Sequence, residues 1–403
     1  MKIVMFATNL PGISADGGIG SYVVALAKEF AARGNDVHVI GQHDKGCKQV
    51  DGYTLWLDPM AYIPVFERLL PGLGAMLALN RIVRQIDRQS KIDIIEFPNF
   101  EGTGLLSTIA NRDIPAVVRM STSSQETGII DGDSNDRRNR WAVWREKSLC
   151  RLADSLVTHS HAHEMHMRSE IDLQDRQVNI VPIGIDLVKN SDVHRQNKNK
   201  TVVYLGRLEK RKGTIDLLHA IPSILEKHPE TNFVFIGSDR NHAPNDRSFR
   251  TYFREEYSKI SEDKVRFLGR LPQEEVDQWL KTADIFVAPS LYESFGMIYI
   301  EAMQWGVPVI GTTAGGIPEI ITNDETGLLV EPANADELGR AICRLLESDS
   351  LRLKLAHAGY SHVRNEYSIS RMADRSLDVY ENVISKFVPR NIVAKIASLS
   401  ENV

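Results

Sequence analysis

The stretch from Asp284 to Glu319 constrains the fold of this chain more than any other. Ile285-Phe286-Val287-Ala288 is a short apolar run, long enough for one buried strand. Pro289 and Ser290 end it, and a polar loop follows with Glu293, Ser294, Phe295 and Gly296. From Met297 the chain continues without a breaker through Ile300, Glu301 and Ala302 to Gly306, which reads as a helix with a glycine stop. Val307-Pro308-Val309-Ile310 then begins another strand. Strand, loop, helix, strand is a βαβ unit. Its loop lies at the carboxyl end of a parallel strand, where ligands of open α/β sheets collect.

Two carboxylates, Glu293 and Glu301, stand eight positions apart in this unit. Between them the helix start offers backbone N–H groups around Phe295, Gly296 and Met297, which favour an anion. Taken alone, the pair has a plain explanation: a surface glutamate on the helix, and a first-turn glutamate stabilised by the helix dipole. A ligand that carries both phosphate and several hydroxyls would use all of these groups.

The same alternation runs along the whole chain. Lys2 to Ala7 reads as a first buried strand, and Ala15-Asp16-Gly17-Gly18-Ile19-Gly20 leads into a helical pattern from Tyr22 to Ala32. That glycine-rich loop lets backbone approach a ligand closely. Its spacing is not the dinucleotide G-x-G-x-x-G. Further strands are expected at Asp36 to Ile40, Tyr53 to Leu57, Ile92 to Phe97, Ile114 to Met120, Ser155 to Thr158 and Val178 to Val181. Helices are expected at Tyr62 to Gln89, broken at Pro71-Gly72, and at Gly102 to Asn111. Asp186 to Lys200 is polar and reads as a linker. A second series follows, with strands at Thr201 to Gly206, Asn232 to Ile236 and Val265 to Leu268, and a helix at Thr214 to Lys227. Asp239 to Ser248 is expected as a mobile loop, and the tail from Asn334 to Phe387 as helix with breaks near Asp349 and Tyr367. The fold class is therefore α/β: two doubly wound Rossmann-like domains, residues 1–190 and 198–370, facing an interdomain cleft.

A net charge of −5 gives no support to nucleic acid as a partner. The three cysteines are scattered, as in a reducing compartment, and none has metal-ligand spacing with a histidine. The first residues, MKIVMFATNL, lack a signal-peptide core, and no stretch approaches ~20 apolar residues. A soluble cytoplasmic protein is expected.

In the second series the first strand runs into Gly206-Arg207-Leu208-Glu209-Lys210-Arg211-Lys212-Gly213. An arginine fork with a lysine point charge suits a diphosphate, although a solvated basic turn would read the same way. Gly269-Arg270-Leu271-Pro272 is a turn whose backbone edge could bond a flat base.

Together these segments resemble family 4 of the retaining glycosyltransferases. The resemblance rests on Gly206 to Gly213, Phe267 to Leu271, Pro289 to Ile310 with its E-x7-E spacing, Gly315 to Glu319, and Asn323 with Gly327-Leu328-Leu329. It implies the GT-B architecture, with residues 371–403 crossing back to the N-terminal domain. It also implies a nucleotide-sugar donor, most often UDP-linked, no cofactor and no metal. By position, Arg207 and Lys212 would bind the donor diphosphate, Glu301 the ribose and Glu293 the transferred sugar. Ser294, Phe295 and Gly296 would contact sugar or phosphate, Leu271 the base, and Gly17, Gly18 and Gly20 would approach the diphosphate. The acceptor would be a small molecule, a glycan or a lipid-linked molecule, chosen by Met60 to Gly74 and Ser123 to Arg140.

The chain departs from the family at Ser121, where many members carry a histidine. Ser121 can still donate a hydrogen bond and is taken as a catalytic-site residue with Glu293, Arg207 and Lys212. Its presence keeps open a catalytically silent binding protein, and a same-fold epimerase is the other alternative. His159, His161, His163 and His166 read as surface helical histidines, with His161 within reach of the cleft. Arg137, Arg138, Arg140, Arg145, Lys147 and Arg151 share a segment with Trp141 and Trp144 that suits contact with an anionic lipid surface or an acidic acceptor, and equally a solvated helix with one buried tryptophan face, while Asp131, Asp133, Asp136 and Glu146 dilute its charge.

Overall fold

The structure is a computed structural model and describes residues 1–7, 10, 18–59, 70–125, 136–188 and 200–389. The chain forms two compact units. One is Met1–Gly184 together with the chain from Ile369 onward, and the other is Ile185–Ser368. Of the expected linker, residues 189–199 lie outside the described residues. At the unit boundary Ile185 pairs with Ser368, so the two crossings of the chain run side by side.

The first unit carries β1 (Lys2–Ala7), β2 (Asp36–Gln42), β3 (Gly46–Val50), β4 (Tyr53–Asp58), β5 (Ile94–Pro98), β6 (Ala116–Arg119), β7 (Ser155–Thr158) and β8 (Val178–Ile180). They form one sheet in the order β3-β4-β2-β1-β5-β6-β7-β8. Pairings are parallel except β3 with β4. That hairpin is absent from the sequence reading. Its signal is Asp51-Gly52, both at positive φ (46° and 88°), as a two-residue hairpin turn requires.

Helices α1 (Gly18–Ala32), α2 (Leu73–Gln89), α3 (Leu105–Ala110), α4 (Arg137–Leu152) and α5 (His161–Glu170) belong to this unit, as does the last helix, Ile369–Lys386. Because side chains alternate along a strand, β1 feeds two cores. Val4 and Phe6 pack with Leu79 of α2 and Leu149 of α4. Ile3 and Met5 pack with Leu26 and Phe30 of α1 and with Met372 and Tyr380 of the last helix. The last helix is also tied to the sheet by charge. Buried Arg119 donates twice to buried Glu96, at 2.9 and 3.0 Å, and once to Ser376 Oγ at 2.9 Å. Tyr380 donates to Glu96 Oε2 at 2.7 Å.

The second unit holds β9 (Thr201–Leu205), β10 (Asn232–Ile236), β11 (Val265–Gly269), β12 (Ile285–Val287), β13 (Val309–Thr312) and β14 (Leu328–Val330). Its sheet order is β11-β10-β9-β12-β13-β14, with every pairing parallel. The helices are α6 (Thr214–Lys227), α7 (Phe249–Glu256), α8 (Gln273–Thr282), α9 (Met297–Met303), α10 (Ile317–Ile320), α11 (Ala335–Glu347) and α12 (Asp349–Glu366). The chain builds outward from β9 to β11, then returns to the other side of β9 with β12. Loops leaving β9 and β12 therefore diverge, and a crevice opens between them.

Asp239 to Ser248 is held rather than loose. The Asp239 carboxylate accepts from the N–H groups of Phe249 and Arg250 at 2.9 and 3.0 Å, and so caps α7. Ala243 pairs with Arg247 across a 3-10 turn. The sequence reading had no helix at α7, because its apolar side is carried by only Phe249, Tyr252 and Phe253.

Candidate functional site

At the divergence of the β9 and β12 loops, Lys212 Nζ lies 2.5 Å from Glu293 Oε1. Lys212 sits in the 3-10 turn that follows β9, and Glu293 in the loop that follows β12. Both side chains are largely covered, at 15% and 10% exposure, so their attraction is screened far less than a surface pair's. Ser290 Oγ donates to the same Glu293 oxygen at 2.9 Å. The backbone of the loop is pinned as well. Leu291 N donates to Arg211 O at 2.8 Å, Gly316 N to Glu293 O at 2.8 Å, and Thr312 Oγ1 to Ser290 O at 2.6 Å. A carboxylate and an ammonium are thus fixed together on a rigid sheet edge. An ammonium has three donors, and this pair uses one of them.

Arg207 leaves the end of β9 and is more open, with its side chain 43% exposed and Nη2 3.3 Å from Glu209 Oε1. Glu209 is buried and also lies 3.4 Å from Arg211 Nη2. The sequence reading assigned Glu209 no role, yet it spaces the two arginines. Its signal was its place amid four cations.

Glu301 is half-buried on α9. Burial, then the neighbouring Asp277 charge, pushes its carboxyl up to about 7. Gly296, at φ 109°, turns the chain into α9, where Tyr299 donates to Ala288 O at 2.6 Å and locks the helix to β12. Phe295 is buried edge-on against Tyr367. Leu271 follows β11 on the same sheet edge, half-buried, beyond Gly269, whose carbonyl accepts from Gly237 N at 2.8 Å. Arg207, Lys212, Leu271, Glu293 and the Ser294–Gly296 turn therefore share one edge. Among them Lys212 and Glu293 are in direct contact.

The remaining expected residues lie in the other unit. Gly17 is outside the described residues. Gly18 opens α1, and Gly20 is buried in its first turn rather than in a loop. Ser121 follows β6 and is gripped by Asn99, which follows β5. Asn99 Oδ1 accepts from Ser121 N at 2.7 Å and from Ser121 Oγ at 3.1 Å, and Asn99 Nδ2 donates back to Ser121 O at 3.2 Å. Asn99 had no signal in the sequence beyond standing after a strand.

Two of the four histidines, His159 and His163, differ from their expected surface placement. His159 and His163 are buried with rings stacked at 4.2 Å, and Thr158 Oγ1 meets His163 Nδ1 at 2.5 Å. Burial, helped by His166, holds His163 down at about 4, against an opposing pull from the Ser121 backbone. His163, and not His161, therefore adjoins Ser121. His161 is exposed beside Glu164 at 3.6 Å.

Two α/β units in one chain, each built on a largely parallel sheet, are the GT-B class of architecture. Residues 16–189 match the family description "Glycosyltransferase Family 4", and residues 189–362 match "Glycosyl transferases group 1". The chain belongs to the group 1 glycosyltransferases, and its activity is that of a glycosyltransferase. It is 24% identical over 397 residues to the D-inositol 3-phosphate glycosyltransferase of Corynebacterium efficiens, covering 91% of this chain and 92% of that protein. It is 30% identical over 221 residues to the GDP-mannose-dependent monoacylated alpha-(1-6)-phosphatidylinositol monomannoside mannosyltransferase of Corynebacterium glutamicum. That match covers 50% of this chain and spans about half (55%) of the relative. In fold the chain is similar to HepE of Anabaena, solved in complex with UDP, at a TM-score of 0.66 and 18% identity over 95% of this chain and 100% of that one.

Proposed function

We propose that this protein moves a sugar from a nucleotide sugar, with UDP as the first donor to test, to an acceptor hydroxyl with retention of anomeric configuration. The observation that carries this reading is the Lys212–Glu293 pair at the divergence of β9 and β12. In this reading the glycosidic bond to the diphosphate breaks, and the leaving group takes the electron pair. Lys212 and Arg207 oppose the charge that develops there without reorganising, and no metal is required. Glu293, fixed by Lys212 and Ser290, accepts from the hydroxyls of the transferred sugar. Glu301 accepts from the ribose, Leu271 borders the base, and the Ser294, Phe295 and Gly296 turn contacts sugar or phosphate. In the other unit, Ser121, held by Asn99, and the glycines Gly17, Gly18 and Gly20 are the residues to substitute in a test for an effect on transfer. The acceptor oxygen attacks the same face and passes its proton to the leaving phosphate oxygen. The unit from Ile185 to Ser368 is the donor side and the other the acceptor side. The acceptor is a small molecule, a glycan or a lipid-linked molecule, reached at the cytoplasmic face of a membrane.

Ser121 supports a second reading, a silent nucleotide-sugar binder. Thermal shift with UDP, GDP and their sugars, followed by nucleoside diphosphate release, separates the two. UDP should raise the melting temperature, and Arg207→Ala or Lys212→Ala should abolish the rise. Unchanged shifts in both variants would refute the diphosphate assignment. Binding without release under any acceptor would favour the silent module, and an inverted product anomer by NMR would sink retention.

A further inference from the structure

Three of the large hydrophobic side chains exposed among the described residues, Leu70 (40%), Leu77 (47%) and Trp144 (49%), belong to one region of the first unit. Trp141 joins them. Its ring stacks on Trp144 at 4.9 Å, and its Nε1 donates at 3.1 Å to Pro71 O, next to Leu70 and one turn before α2. Arg145, buried below, reaches Met76 of α2. Trp141 and Arg145 of α4 thereby reach the start of α2.

The charge on this face is mainly positive, with Arg81 paired to Asp58 at 2.5 Å and Asp136 at the N-cap of α4. On α4, Arg137, Arg140, Trp144, Lys147 and Arg151 follow one another at helical spacing along one side. On α2 the exposed stripe continues from Leu77 through Arg81 and Arg84 to Arg88. The one acid within α4, Glu146, does not dilute it. It is buried and turned inward, accepting from Glu101 N at 2.6 Å and Ser124 N at 3.0 Å. Arg137, Arg138 and Arg140 also occupy the first turn of α4, which holds no acid and where the helix dipole favours negative charge. Asp136 stands directly before that turn, at the N-cap. A whole-chain charge of −5 makes the local excess of cations a pronounced asymmetry.

We propose that this joined face of α2 and α4 docks on an anionic lipid bilayer, with Trp144, Leu77 and Leu70 entering the headgroup boundary and the arginines meeting lipid phosphates. Exposed apolar side chains ringed by arginine are what an interfacial helix pair needs, since apolar burial and charge attraction add. The proposal rests on the reading of the protein as acting beside a membrane, and it is independent of the transfer chemistry.

The test is co-sedimentation of the full chain with vesicles of phosphatidylcholine alone, and of phosphatidylcholine mixed with phosphatidylglycerol. Binding is expected only to the second and should weaken as salt rises. Each arginine near an anionic surface contributes about fivefold to partitioning, so R137Q combined with R140Q should weaken binding roughly 25-fold. Trp144→Ser should weaken what remains at high salt. Trp144 lies outside the donor site and outside residues 123–140, so nucleoside diphosphate release from a soluble donor by Trp144→Ser should match the unaltered chain. If release is absent while vesicle binding behaves as stated, the transfer reading fails and docking stands. Equal binding to both vesicle types, no binding to either, or wild-type binding by the double variant overturns docking. Retention on heparin without vesicle binding also overturns it and points to an acidic glycan.

Discussion

Two glycines set how closely Lys212 and Glu293 approach. Gly213 lies at φ 64°, and a Cβ there would stand 1.8 Å from Pro289 O. Gly315 lies at φ 60°, and a Cβ there would stand 2.2 Å from Glu293 O. Both obstacles are backbone, so neither can yield by a rotamer change. Gly315→Ala should cost ~1–2 kcal/mol for the left-handed conformation alone, with more for displaced backbone. It should lower the melting temperature and weaken nucleoside diphosphate binding together, and a variant that binds like the parent would show the loop to be pliable. Glu301 offers a pH test. Its carboxyl stands at about 7, raised by burial and by Asp277, so near neutrality it carries a proton in about half of the ligand-free molecules. In the proposed role its partners are ribose hydroxyls, which donate, so binding would select the ionised form. Affinity should therefore fall as pH drops below about 7 and level off above it. Calorimetry at both ends of that window measures the difference, and Glu301→Gln should erase it. The same profile in that variant would place the titration in the ligand's phosphate.

At the scale of elements, the last helix is held by apolar packing and by a fully bonded buried ion pair. Removing one member of such a pair strands the other in low dielectric. Arg119→Met should destabilise the protein by about 3–5 kcal/mol, against roughly 1.5–3 kcal/mol for Tyr380→Phe, which removes one hydrogen bond to a charge. Denaturant unfolding of both variants orders them, and a reversed order would mean the pair is not the main restraint. Elements of this kind were legible in sequence where their pattern was strong. β1, β7, β10 and α6 fall where apolar period and breakers place them. The β3–β4 hairpin and α7 escaped because exposed β3 offers no alternating pattern and α7 is only two turns long. At the candidate site, Arg207, Lys212, Glu293 and Glu301 were singled out by spacing and resemblance. Asn99 and Glu209 were not, because their importance lies in which side chain they meet.

For the whole molecule, the division of the chain has a consequence. The first unit needs Met372, Tyr380 and their neighbours from the far end of the sequence to close one of its two cores. The second unit is a single continuous stretch. A fragment of residues 1–188 should therefore lack cooperative unfolding until a peptide of residues 369–389 is added, whereas residues 200–368 should unfold cooperatively alone. Circular dichroism against denaturant reads both, and a fully cooperative 1–188 fragment would show that face to be self-sufficient. Among the described residues no helix is long and apolar enough to cross a membrane, so any membrane contact of these residues through a helix is made from the surface.

What the sequence determined by itself was the alternation of strands and helices, the parallel sheets it forces, and the family to which the βαβ unit around Glu293 belongs. Those properties are written in period and punctuation over a few tens of residues. The tertiary structure alone decided the partnerships. Lys212 meets Glu293 across 81 positions, and Arg119 meets Ser376 across 257. It also turned Glu146 inward, which left the face of α4 cationic, and it buried His163 beside Ser121. The reason is physical: a strand or helix is specified by local steric and apolar pattern, whereas a side chain's charge, protonation and partner are set by whatever distant chain the fold packs against it.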